Sequence, residues 1–93
     1  MRVIWKVELP LLPTSVHSMM IIGIPTLAPP VHASRDFDTG VMCLWFEVDP
    51  QAPARQRKFV WVGPGQPVPE FGNHRATVVE TPFVWHLYEV HES

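Results

Sequence analysis

Eleven prolines and five glycines, spread along 93 residues, constrain this chain more than any other feature. Proline inside a helix removes a hydrogen bond and clashes with the preceding turn. No interval between these breakers carries an apolar stripe at helical spacing over three turns. Helix is therefore almost ruled out, and short strands must carry the fold. Period two appears instead in the first segment, where Val3, Trp5, Val7 and Leu9 share one face and Arg2, Lys6 and Glu8 the other.

The same reading continues down the chain. SVHSMMIIG at 15–23 is β-branched and Met-rich but alternates poorly, which predicts a strand covered on both faces or broken by a bulge. VHASRDF runs into Asp38-Thr39-Gly40, the chemistry of a tight turn, and should pair antiparallel with VMCLWFEV at 41–48. The latter is apolar at seven of eight positions and reads as a central strand. RKFVWVG places Phe59 and Trp61 on one face, with Lys58, Val60 and Val62 on the other. HRATVVE and FVWHLYEV close the chain as two strands broken at Thr81-Pro82. Seven short strands with turn signals every ten residues or so predict an all-β fold, a small antiparallel sandwich or barrel, in a single domain over residues 1–93. Trp5, Trp45, Trp61 and Trp85 fall one to a strand and are expected in its core.

Composition narrows the function classes. Apolar residues make up 46% and charged residues 17%, a globular balance without the charge density of disordered chains. Net charge is −2, and of seven basic residues only Arg55, Arg57 and Lys58 cluster, which argues against nucleic acid. MRVIWKVELP has no continuous apolar core like that of a signal peptide, and MMIIGIP is too short to span a bilayer, so a cytosolic protein with no membrane partner is expected. The lone Cys43 lies in an apolar run and reads as a buried, inert thiol.

Three motifs carry a resemblance. CLWFEVDP, RKFVWVGPGQPVPE and FVWHLYEV, in that order and spacing, resemble a family of short proteins encoded mainly by tailed phages and prophages of actinobacteria. In that family a CLW-x-x-VDP strand and loop precede an R-x-F-x-x-x-G-x-G-x-P-x-P loop, and a VWH-Φ-[FY]-E strand ends the chain. The opening VIWKVELP is similar to the family's usual start. Here the paired glycines enclose Pro64, and the segment from Pro25 to Gly40 is longer and richer in proline than the family's usual strand. The resemblance implies a phage origin and an infected host cell as the place of action, with no activity attached.

Candidate site residues follow from the stiffest loop, GPGQPVPE at 63–70. Gly63 and Gly65 could offer exposed N–H groups and Gln66 an amide at a binding rim, or the loop could be a rigid connection and nothing more. No Lys-Ser or Lys-Thr follows, so it is no phosphate loop. Trp45 or Trp61 could stack on a base while Arg57, Lys58 or Arg75 held phosphates. His86, between Trp85 and Leu87, is either a half-buried imidazole or a polar contact in a pocket. The five histidines lack metal-site spacing, so neither metal nor cofactor is expected. Serines and carboxylates show no catalytic context, which argues against an enzyme. Together these features predict a non-enzymatic phage accessory protein that assembles with itself, as a homo-oligomer, and acts on a host or phage protein. Two alternatives stand beside it: a protein sequestering a small nucleotide immune signal, and a minor virion component such as a capsid decoration.

Overall fold

The computed structural model describes residues 1–9 and 19–91, and among these every regular element is a strand. They are β1 (Val3–Glu8), β2 (Met20–Ile24), β3 (His32–Arg35), β4 (Met42–Val48), β5 (Arg55–Val62), β6 (Gly72–Glu80) and β7 (Phe83–Val90). Two antiparallel sheets result, in the orders β1-β4-β3 and β2-β5-β7-β6. One hydrophobic cluster joins them, with Leu44 and Phe46 from the first sheet and Phe59, Trp61 and Leu87 from the second. The protein is thus a two-sheet all-β sandwich.

Alternation decides what each strand buries. In β5, Arg57, Phe59 and Trp61 point into the sandwich; in β7, Trp85, Leu87 and Glu89 do the same. Their registers match: Trp61 lies opposite Leu87 and Phe59 opposite Glu89, so the inward residues form one layer. β4 is the central strand of its sheet, as its composition predicts, flanked by β1 and β3. The predicted hairpin is present too: Arg35 pairs with Met42, and Gly40 closes the turn at φ +71°, a conformation that glycine adopts without penalty.

Two expectations need correction. β2 is an edge strand with one wet face: Met20, Ile22 and Ile24 are buried while Ile21 is 59% exposed. The expected covering of both faces fails because the fold has two layers: one face of β2 packs into the core between the sheets and the other looks outward. Residues 15–18 of that predicted strand lie outside the described residues. The tryptophans also divide. Trp61 and Trp85 are core, whereas Trp45 is half-buried on the outer face of the smaller sheet and Trp5, on edge strand β1, is 40% exposed. An edge position leaves an inward-facing ring covered on one side only.

Candidate interaction surfaces

The loop at 63–66 is a type II turn. Pro64 occupies its second position and Gly65, at φ +79°, its third, and the Gln66 amide donates to the Gly63 carbonyl at 3.2 Å. The Gly63 N–H in turn donates to Gln66 Oε1 at 2.7 Å. Gly63 is buried, and a Cβ there would stand 2.7 Å from Trp85 Cζ3. These groups hold the loop to itself and to the core, while Gln66, Pro67, Val68 and Pro69 line an apolar hollow, so the loop is both a stiff connection and the wall of a slot. Gly63 N–H and the Gln66 carbonyl are therefore not open rim groups.

Arg57 is likewise engaged within the fold. Its Nε and Nη2 donate to the two carboxylate oxygens of Glu89 at 2.8 and 2.7 Å, and Nη1 donates to the Thr26 and Ala28 carbonyls at 3.2 and 2.8 Å. The guanidinium also lies 5.3 Å from the Phe46 ring centroid and 5.4 Å from that of Phe59. Arg75, the extra residue of a bulge in β6, completes the group by donating to Glu89 at 2.9 Å. Burial acts to raise the Glu89 carboxyl, but the hydrogen bonds from Arg57 and Arg75 outweigh it and hold the group below its usual range. As a phosphate ligand Arg57 is unavailable, since its burial at 3% exposure and its four donor contacts keep it inside. Trp61, the base-stacking candidate on the same face, is buried with it.

The other candidates lie apart from one another. Trp45 sits on the outside of the smaller sheet, its ring tilted against His32 at 5.3 Å. His86 faces outward from the larger sheet, where Thr77 Oγ1 bridges it at 2.9 Å to His74 at 2.8 Å, beside Tyr88. Lys58 is half-buried on that same outer face, opposite Val90. No single cleft collects these residues. Among the described residues no group of three histidine, cysteine or carboxylate side chains is placed to hold a metal.

Three surfaces emerge, of which the sequence singled out only the loop, with Gln66 and Trp61, that lines the second. The first is the β3–β4 hairpin tip. Asp36 Oδ1 accepts from the Asp38 and Thr39 amides at 2.8 and 3.1 Å, its other oxygen pairs with Lys6, and Arg35 Nη1 donates to the Gly40 carbonyl at 2.6 Å. The hydrogen bond from Lys6, helped by those two amides, lowers the Asp36 carboxyl to about 2. This stiff tip holds Phe37 wholly in solvent, at 105% relative exposure. The second is an apolar slot of about 250 Å³ on the larger sheet's outer face, floored by Val60, Val62 and Val90 and walled by Met19 and the Pro67-Val68-Pro69 loop. The third is the flank where β1 and β2 end their sheets, with Ile4, Trp5 and Ile21 exposed. The opposite flank is tied shut, since Arg35 of β3 and Glu80 of β6 pair across the sheets at 2.5 and 2.8 Å.

Cys43 is fully buried, as its apolar run predicts, and burial pushes its thiol up. Alternation could have located the buried Arg57–Glu89 pair, because Arg57 is in phase with Phe59 and Trp61 and Glu89 with Trp85 and Leu87. Nothing local signals that Phe37 stands free of the fold or that the slot exists.

Fold and surfaces together define a small all-β sandwich stitched by buried ion pairs, with apolar groups displayed on an edge, a tip and a slot. The chain belongs to a family described as a domain of unknown function (DUF7352), matched over residues 1–93. No curated protein and no solved structure matches it.

Proposed function

We propose that the protein is a non-enzymatic interaction module that associates with itself and with a protein partner, in keeping with a phage accessory role. The observation that carries this is the display of large apolar side chains on stiff elements outside a core that is already filled. Ile4, Trp5, Ile21, Phe37 and Phe83 are each at least 40% exposed, while Leu44, Phe46, Phe59 and Leu87 are sealed inside. Large apolar groups displayed on ordered elements, at an edge, a tip and a slot, favour contacts with other proteins. Nucleotide sequestration is less well supported, because Arg57 and Trp61, two of the groups assigned to it, are engaged in the core.

The test is the solution mass over a hundredfold range of concentration. A mass above that of the 10.6 kDa monomer, rising with concentration, is expected. Monomer at every concentration, with no binding to candidate host or phage proteins, would overturn the reading. Mass spectrometry of purified particles then separates a virion role from one inside the infected cell.

A further inference from the structure

The open flank holds a strand edge whose backbone and charges complement a copy of themselves. Among the described residues β1 has β4 as its one neighbour, so its far side carries unpaired ladder groups. The β1–β4 register shows which residues own them. The Leu9 amide donates to the Met42 carbonyl at 2.8 Å, and in an antiparallel ladder every second pair is bonded, so Val3, Trp5 and Val7 also turn their amides and carbonyls to β4. Arg2, Ile4, Lys6 and Glu8 turn theirs outward, and all of them are exposed. An edge of this kind is a template for another strand.

The strand that fits it is β1 of a second copy. When two such edges meet antiparallel about a two-fold axis, the outward-bonding residues must oppose one another, so with most of the strand engaged the axis falls on Ile4, Trp5 or Lys6. An axis on Ile4 sets Arg2 against Lys6, and one on Lys6 sets that ammonium against its own copy; like charges placed opposite disfavour pairing. An axis on Trp5 sets Arg2 against Glu8 at both ends and Ile4 against Lys6. Trp5 is also the midpoint of Arg2–Glu8, so this register engages the most strand, and every open amide and carbonyl along it finds a partner. Lys6, opposite Ile4, keeps its pair with Asp36. Arg2 holds Glu47 of its own β4 at 2.7 Å, but its side chain is 74% exposed and a guanidinium has donors enough for both carboxylates.

Building on the self-association proposed above, we infer that two copies join β1 to β1 about a two-fold axis at Trp5, making one continuous sheet of their smaller sheets. The contact is isologous and closes at a dimer. Side chains of the central pair approach most closely, because that pair is not hydrogen-bonded. The two Trp5 rings therefore meet on the inner face, each covering the side that leaves the residue 40% exposed in one copy alone. The charges of Arg2, Lys6 and Glu8 disfavour slipped registers and admit this one.

Charge exchange and a cross-link test this. Arg2→Glu places carboxylates opposite Glu8, and Glu8→Arg places guanidiniums opposite Arg2, so sedimentation should show each variant alone associating about tenfold more weakly than the unmodified protein. An equimolar mixture of the two should recover the two-chain species, because every opposing pair is then unlike in charge. Trp5→Cys should form a disulfide-linked dimer on mild oxidation, since its own copy lies opposite, and Ile4→Cys far less. Cys43 is buried and does not compete. The substituted positions are exposed, so the variants should fold, which circular dichroism verifies. If Arg2→Glu and Glu8→Arg associate as the unmodified protein does, the contact lies elsewhere and this inference fails while self-association stands. If both are weakened but their mixture recovers nothing, or if Trp5→Cys stays unlinked, pairing in this register is overturned. If the unmodified protein is itself monomeric throughout, self-association fails along with it.

Discussion

At the scale of single residues, the Arg57–Glu89–Arg75 group decides most. Arg57 and Glu89 are both nearly sealed from solvent, and each satisfies the other through two hydrogen bonds. Removing one partner of such a pair leaves a buried charge with no counterion, so Glu89→Leu should cost about 3–5 kcal/mol in a urea titration. The double change Arg57→Met with Glu89→Leu should recover much of that, because an apolar pair suits Phe46 and Phe59 and needs no ionic partner. Acid should act on the same group. Glu89 and Asp36 both have folded-state values below their ordinary ones, Asp36 at about 2 against 3.8, so each stabilises the fold above its unfolded value and ceases to as pH falls through the folded one. Thermal midpoints should therefore fall as the pH drops from about 4 toward 2, and fall less steeply in Glu89→Gln, which has no carboxyl there to protonate. The cluster of Arg55, Arg57 and Lys58 suggests a solvated patch until alternation puts Arg57 in phase with Phe59 and Trp61, and nothing local signals its partner, 32 positions away.

At the scale of elements, the sequence speaks most clearly where the chemistry is local. Proline before glycine in GPGQ specifies a type II turn by backbone preference alone, and Asp-Thr-Gly likewise marks the β3–β4 hairpin. The two glycines of GPGQ should nevertheless respond differently to substitution. Gly65→Ala meets no atom within 4 Å but must adopt φ +79°, so a loss of about 1–2 kcal/mol is expected, and Gly65→Asn should lose less. Gly63→Ala has ordinary backbone geometry but drives a methyl against the Trp85 ring, so its loss of about 1–3 kcal/mol comes from core displacement. Near-ultraviolet circular dichroism separates the two, because only Gly63→Ala should change the tryptophan signal. Sheet order was not legible in this way. Period two shows which residues share a face but not which strand lies beside which, and the apolar run of β2 does not reveal that Ile21 is on the outward face of a two-layer fold.

At the scale of the whole molecule, exposed apolar area cannot be put down to loose folding. The protein presents 5791 Å² to solvent, close to the roughly 5,500 Å² that the scaling of compact monomers gives for this mass. Its dimensions of 40 × 38 × 17 Å are those of a slab two sheets thick, in which every strand has one face at or near the surface. Such a slab has two flanks, and they differ. Arg35–Glu80 draws β3 to β6 across the sheets, whereas β1 and β2 end the other flank with Ile4 and Ile21 in solvent and Met19 at the wall of the slot. That asymmetry yields a prediction for matched charges. Ile21→Lys and Val79→Lys each replace an exposed apolar side chain on an edge strand, so each should change stability by no more than about 0.5 kcal/mol. Their effects on assembly should diverge, since Ile21 stands beside Met19 and the slot while Val79 lies on β6, across the sheet from them. Ile21→Lys should shift the concentration for association several-fold, with a changed salt dependence, and Val79→Lys should leave it unaltered. Equal effects from both would mean that association follows overall charge or general stickiness and that the open flank has no special part in it.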